Sequence, residues 1–440
     1  MWCRHNSGVV APPSETTPKR TPRLPADERR RQLLDAALDV IAEEGFAAIS
    51  VEAVARRAGV TRPVVYDQFG DLEGLLVALV DREEHAALDP LLAIVGRDPG
   101  DDADPERLLV DGVAAFLEAV RSSPRTWRLV LMPPRGQTPE LRARIARSRR
   151  LITGRVEALL DWGVARRGGP RGLDHALLAR LIVAAAEDAA RLTLLAPERY
   201  PAVRLAGAAR MLLAVLPPDT APRGDPPPVV APPPAPVTAP PRTGRMPRAE
   251  RREQLLDVAL GLLAEQGFDA LGMEAIARRA GVNRAIVYRS FANVQLLLVA
   301  LLRREDARTK AVLDALLPAD PGELSTPALL GDVLARFLAA VLRDAATYRV
   351  VLQRPEHAPP FLQKVVSRRR ADLAERLRPF VEWGLGGRRA PAADVDPDVL
   401  ARMLLSVGEE LARLALDDPE FPPERVVAGA WGLLDRLPGG

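Results

Sequence analysis

The sequence predicts an all-α chain made of two tandem copies of one unit, and three observations carry that expectation. Positions 28–83 and 250–305 align without a gap at a constant offset of 222, and 33 of the 56 pairs are identical. Apolar residues recur at helical spacing in both halves, while no segment shows the alternation of a half-buried strand. Residues 217–247 hold 13 prolines in 31 positions and divide the chain into halves 26–216 and 248–440. Such a stretch reads as an extended linker that packs no core.

Composition points the same way. Of 440 residues, 48% are hydrophobic and only 4% aromatic, with Leu, Ala and Val abundant, a balance that favours helix over sheet. The formal net charge is only +3, so bulk charge does not announce nucleic acid. The single cysteine, Cys3, excludes an internal disulfide and a cysteine zinc site. The N-terminal 25 residues lack the apolar core of a signal peptide, and no apolar run approaches the ~20 residues that span a bilayer. A cytoplasmic protein with no membrane partner is expected. Histidines at 5, 85, 175 and 357 have no metal-ligand spacing, and no nucleophile-elbow, zinc-protease or paired-carboxylate signature appears. Neither an enzyme nor a cofactor is expected.

Taken in order, residues 1–25 read as a disordered tail. The first helix gathers Leu33, Leu34, Ala37 and Ile41 on one face with Phe46 beyond it, and Gly45 stops it. Leu255, Leu256, Ala259, Leu263, Gly267 and Phe268 repeat that pattern. Between Ser50 and Phe69, Val51, Val54, Ala55 and Ala58 form the stripe of a two-turn helix. Gly59 permits a left-handed turn, and Val60 plugs the corner. Thr61 is expected to cap a second short helix from Arg62, with Val65 and Phe69 facing inward. Gly272 to Phe291 gives the same reading with Asn283 as the cap. Further helices are expected at Leu75–Leu92, Leu108–Val120, Glu140–Trp162, His175–Leu195 and Ala202–Leu216. The repeat weakens but continues: Phe116, Trp127, Pro134 and Trp162 match Phe337, Tyr348, Pro355 and Trp383 at offset 221. Leu178 and Glu187 match Leu400 and Glu409 at offset 222.

Two short helices around a glycine turn are a helix-turn-helix. The N-terminus of its second helix offers free backbone N–H groups and a positive dipole end to phosphate. The candidate DNA-contacting positions are Thr61, Arg62, Pro63, Tyr66 and Gln68 in the first copy. In the second they are Asn283, Arg284, Ala285, Tyr288, Arg289 and Ser290. The arginines can reach a phosphate or a guanine edge, and the tyrosines a phosphate.

The strings Ala-Arg-Arg-Ala-Gly-Val-Thr at 55–61 and Val-Tyr-Asp-Gln-Phe at 65–69, with their copies at 277–283 and 287–291, resemble the N-terminal domain of TetR-family transcriptional regulators. The resemblance implies three-helix DNA-binding heads at 26–85 and 248–305. Each would lead into a helical effector and dimerisation domain, at 86–216 and 306–440. His175–Leu216 and Asp396–Leu437 would then form an intramolecular pseudo-dimer, with further homodimerisation left open. The implied function is a repressor released by a small apolar effector, reading a pseudo-palindromic operator in double-stranded DNA with two non-identical heads. Phe116, Trp127 and Leu131, with Phe337, Tyr348 and Leu352, are the candidate effector-pocket residues, against a plainer reading as core.

The sequence departs from that pattern in places. The family's backbone-contacting lysine after Tyr-x-x-Phe is replaced by Leu72 and Val294, and Asp67 sits inside the first copy's second short helix. Positions 19–83 carry ten basic and twelve acidic residues, against eleven and seven at 242–305. The second head is therefore expected to carry more of the DNA affinity. The same departures motivate an alternative: a ligand-binding or protein-interaction scaffold with partly degenerate heads. Glu187-Asp188 and Glu409-Glu410 read either as polar anchors of a ligand pocket or, the favoured reading, as partners of Arg191 and Arg413 four residues on, the spacing of a surface ion pair. The Gly/Arg-rich stretches Gly163–Gly172 and Gly384–Gly387 read as connectors.

Overall fold

A computed structural model describes residues 24–45, 48–95, 103–132, 139–205, 207, 224–229, 246–324, 327–353, 358–386, 396–434 and 436. Among the described residues all regular structure is helical. The first half holds α1 (Ala26–Glu44), α2 (Val51–Ala58), α3 (Arg62–Phe69), α4 (Leu72–Val95), α5 (Pro105–Ser122), α6 (Pro124–Leu131), α7 (Pro139–Arg167) and α8 (His175–Leu195). The second repeats that order as α9 (Arg248–Gln266), α10 (Met273–Ala280), α11 (Arg284–Ser290), α12 (Val294–Leu316), α13 (Pro327–Arg343), α14 (Ala345–Val351), α15 (Pro360–Gly386) and α16 (Pro397–Asp417), followed by α17 (Pro423–Leu434), whose counterpart starts at the helical residues 202–205 and 207 of the first half. One compact unit ends at Leu79, and the other runs from Val80 onward.

In the first unit Leu33, Ala37, Val54, Val65 and Leu75 are buried. Ser50 caps α2 by accepting from the Ala53 amide, and Gly59 ends that helix at φ 68°, a conformation that favours glycine. The matching head of the second unit buries Leu255, Ala259, Ile276, Val287, Phe291 and Leu297, and Gly281 turns at φ 64°.

The two halves exchange core residues inside the second unit. Val399 and Met403 of α16 are buried among Phe116, Leu117 and Trp127 of the first half. Leu177 and Leu181 of α8 occupy the 222-offset positions and are buried among Leu338, Val341 and Tyr348 of the second. This reciprocity is the signature of an isologous interface. A Cβ added at Gly429 would lie 2.5 Å from Leu177 Cδ2, so glycine lets the helices approach.

Charge follows the same pseudo-twofold rule. Arg149 of α7 pairs with Glu187 of its own half at 3.0 Å and with Glu410 of the other at 2.9 Å. Arg370, its counterpart at offset 221, pairs with Glu409 at 3.0 Å and with Asp188 of the other half at 2.9 Å. Asp174 caps α8 and receives Arg425 at 2.7 Å, while Asp396 caps α16 and receives Arg204. Burial alone would raise the Asp188 carboxyl, but Arg370 and Arg191 overcome it and hold it at about 2.

Several expectations need correction. Arg191 and Arg413 do pair with Glu187 and Glu409, each at 3.4 Å, but Glu409 is buried and Glu187 half-buried, and both are tied into a network that crosses between the halves and not set on a solvated face. The stretch 217–247 is not wholly a spacer: Trp431 donates to the Gly224 carbonyl at 3.0 Å, and Val229 packs on the second half's core. Gly163 and Gly384 lie within α7 and α15, so these helices run beyond the expected connectors' starts. The short helices α6 and α14 have no separate signal in the sequence pattern. Of Ala202–Leu216, residues 202–205 and 207 are helical. The rest of that span, residues 1–23, Phe46, Pro134, Pro355, Gly387, Leu437 and positions 230–245 lie outside the described residues.

Removing the Arg370 guanidinium leaves Asp188 and Glu409 buried without their shared cation. Arg370→Ala is expected to cost about 3–5 kcal/mol in urea unfolding. The depressed Asp188 value means its contribution is complete above its unfolded value of about 3.9 and is lost as pH falls through the folded value of about 2. Asp188→Asn should therefore lose stability at neutral pH and show a flatter decline between about pH 4 and pH 2 than the parent chain.

Candidate nucleic-acid interface

Each head exposes the start of its second short helix. In the first copy Thr61, Arg62, Pro63, Tyr66 and Asp67 are exposed and Gln68 is half-buried. In the second, Asn283, Arg284, Ala285, Tyr288 and Arg289 are exposed and Ser290 is half-buried. Tyr66 and Tyr288 retain 50% and 42% of their exposure, so both rings are open to solvent on one side and rest on the scaffold on the other. Val65 and Val287, fully buried, anchor the opposite face of each helix. Behind them, Arg30 donates to the Gln68 carbonyl at 2.9 Å and stacks on Phe69. Arg252 does the same to the Ser290 carbonyl and Phe291. These two arginines close the helix C-termini, where a cation is favoured.

The exposed faces differ. Asn283 accepts from the Ala285 amide at 2.9 Å and caps α11. Thr61 occupies the cap position of α3 without a side-chain cap hydrogen bond, which corrects the expectation. Arg62 pairs with Glu52 at 2.5 Å. Arg284 donates to the Tyr288 hydroxyl at 3.1 Å and lies over its ring, and Glu274, the counterpart of Glu52, acts on it through space. An exposed ion pair is worth at most about 1 kcal/mol, so Glu52 does not lock Arg62, yet it leaves a carboxylate beside any phosphate met there. The acidic Asp71 has a local role: it accepts from the Gly74 amide at 2.7 Å, as Asn293 accepts from Leu296 at 2.8 Å. The Ser290 hydroxyl bonds back to the Ile286 carbonyl.

A contact missed in sequence lies behind the heads. Glu305, fully buried, accepts from Thr347 of α14 at 2.7 Å and pairs with Arg304 at 2.6 Å. Glu83 holds Thr126 of α6 and Arg82 in the same way. The signal was present in the repeat, since Arg-Glu recurs at 82–83 and 304–305 and threonine at 126 and 347. These bonds tie the long helix leaving each head to the short helix of the domain that follows.

The candidate effector residues line two cavities. Phe116, Trp127 and Leu131 face one of about 1190 Å3, whose wall also includes Arg149, Glu187, Arg191 and Glu410. Phe337, Tyr348 and Leu352 face a second of about 620 Å3, and Leu352 borders both. Each cavity takes part of its wall from the other half: Arg413 and Leu414 in the first, Leu178 and Leu181 in the second. Among the described residues no acidic, cysteine and histidine group is arranged to hold a metal, and no single helix is long and apolar enough to cross a membrane.

A model of the family described as "Bacterial regulatory proteins, tetR family" matches residues 33–79 and again 255–301. The chain is 30% identical over 173 residues to the HTH-type transcriptional activator FasR of Mycolicibacterium smegmatis, covering 39% of this chain and 75% of that one. It is 33% identical over 104 residues to the HTH-type transcriptional regulator EthR of Mycobacterium tuberculosis, covering 24% and 47%. The match thus spans about half of EthR's length. Among solved structures, a TetR-like transcriptional regulator from Rhodococcus sp. RHA1 is similar with a TM-score of 0.35 and 25% identity, covering 44% of this chain and 96% of that chain. The regulator FadR from Bacillus subtilis, in complex with stearoyl-CoA, gives 0.36 and 21% with 42% and 96% covered. The named relatives are regulators of transcription, not enzymes.

The different caps predict different local stabilities. Asn283→Ala should destabilise α11 by about 1 kcal/mol, and Thr61→Ala should cost α3 only a few tenths. Hydrogen exchange of the amides at 284–290 and 62–69 measures both.

Proposed function

This chain belongs to the tetR family of bacterial regulatory proteins, and on that premise we propose that it reads a pseudo-palindromic site in double-stranded DNA with two unequal heads. The observation that carries this reading is the doubled family match, in which each copy exposes an arginine and a tyrosine on the first turns of its second short helix. Each such helix enters a major groove, with its N-terminus on phosphate and its arginine on a base edge or phosphate. Thr61-Arg62-Pro63-Val64 and Asn283-Arg284-Ala285-Ile286 present different chemistry, so the two half-sites differ.

The second head carries more of the affinity. Its Arg284 donates to the Tyr288 hydroxyl, with Glu274 acting through space, while Arg62 is paired with Glu52, and Arg289 replaces the exposed Asp67. A small apolar effector in the helical domains shifts DNA affinity in so far as it binds the free and DNA-bound forms differently. We take relief of repression as the direction of control. FasR is named an activator, and a promoter-reporter titration with the chain separates the two directions. The alternative of a scaffold with degenerate heads draws support from Leu72 and Val294, one in each head, and from the exposed Asp67 of the first.

DNA-site selection with the full chain tests the reading. The expected product is a two-part site with unlike halves, bound in a strongly salt-dependent manner. Arg284→Ala should weaken binding several-fold more than Arg62→Ala, and the salt slope should fall by about one for every phosphate that the variant no longer neutralises. Equal losses contradict the asymmetry. Selection that enriches no site favours the scaffold.

A further inference from the structure

Part of the proline-rich linker is seated on the second half. Residues 224–229 form neither helix nor strand. Asp225, Pro226 and Pro227 each precede a proline, which confines their backbone to extended conformations. The rings of Pro226, Pro227 and Pro228 fix φ at about −65°. The stretch is therefore extended before it meets anything, and it uses none of its carbonyls in hydrogen bonds of its own.

It meets a surface shaped for close approach. Trp431 of α17 is 7% exposed and donates its indole N–H to the Gly224 carbonyl at 3.0 Å. A Cβ added at Gly331 of α13 would lie 2.5 Å from Trp431 Cζ3 and 3.5 Å from Pro227 Cγ, so the missing side chain admits both rings. Pro227 and Val229 are half-buried while Pro226 and Pro228 are exposed. Val229 packs on the core that includes Leu338, Val427 and Ala430. At offset 221 the first half has Val110 in place of Gly331 and Arg210 in place of Trp431, so its sequence carries neither element of the site. Gly331, Trp431 and residues 224–229 stand apart from the two cavities, whose described walls include none of them.

An aromatic ring that packs a proline and gives its N–H to a neighbouring backbone carbonyl is the chemistry by which proline-rich chains are recognised. We propose that the α13–α17 face of the second half is a binding site for an extended proline-rich strand, and that this chain's own residues 224–229 are its ligand. The strand loses little freedom on docking, because its conformation is set beforehand. It leaves the first half and is held by the second, so it is a further tie between them. Residues 230–245 then remain as the span to the second head, at most about 50 Å at ~3.1 Å per residue. A proline-rich partner from outside gains the site only by displacing this strand. Short tethers hold a ligand at an effective concentration on the order of 1 mM. For the docked form to dominate about tenfold, the same strand supplied in trans needs a Kd on the order of 0.1 mM or below.

The test is calorimetry with a synthetic peptide of residues 222–231. Its host is the full chain carrying Pro227→Asp and Val229→Asp, which puts two charges where the strand packs. The peptide is expected to bind this host with a Kd on the order of 0.1 mM or below, and the parent chain about tenfold more weakly, because the parent's own strand competes. A control peptide with the same two aspartates should bind neither. Trp431→Phe added to the host should weaken the peptide roughly fivefold, through loss of one hydrogen bond. The proposal is overturned if the host does not bind the peptide, if the parent binds it equally well, if the control matches it, or if Trp431→Phe leaves the affinity unchanged. A host that loses the parent's helical circular dichroism also overturns it, because residues 224–229 would then be part of the folding core and not a ligand.

Discussion

Arg149 and Arg370 each place one guanidinium between a glutamate of their own half and a carboxylate of the other. Much of the second unit depends on that arrangement. Glu187, Asp188, Glu409 and Glu410 lie in a low-dielectric setting, where an unpaired carboxylate is costly. A buried ion pair adds little net stability over apolar packing, but it is intolerant of a wrong partner or register. Here it fixes α8 against α16 in one relation. The side chains of Leu177, Leu181, Val399 and Met403 then fall into the opposite half's core. Neither half completes its own interior, so pairing is part of folding.

Joining the copies in one chain removes the need for identical partners. Among the pairs compared, those that hold the pseudo-dimer kept their roles: Arg149 with Arg370, Asp174 with Asp396, Arg204 with Arg425. Positions that face outward or into cavities diverged instead. Arg62 meets a carboxylate and Arg284 a tyrosine hydroxyl. Trp127 gives way to Tyr348 at the matching position. The linker contributes more than reach, since Gly224 and Val229 rest on the second half.

Most helices were legible because their signals are local: apolar spacing, the glycine stops at 45, 59, 267 and 281, and the cap at Asn283. The faces of α3 and α11 were legible from the same short-range pattern. The buried network was not, because it joins α7 to a helix 261 residues away, and i to i+4 spacing reads the same on a buried face as on a wet one. Thr61 differs from its expected role for a related reason: a capping residue type marks the position, and only the side-chain rotamer decides whether the bond forms. Tyr348 was legible as an aromatic of the candidate pocket, but the wall it shares with residues from α12, α15 and α16 lies in no local window.

The claim that the two halves complete one another can be put to a single measurement. A protease site inserted between positions 230 and 245, outside the described residues, would let the chain be cut after folding. The exchanged core and crossed arginines predict that the fragments remain a 1:1 complex with the mass of the uncut chain at submicromolar concentration. Fragments that separate, or re-sort into two kinds of homodimer, would contradict the account.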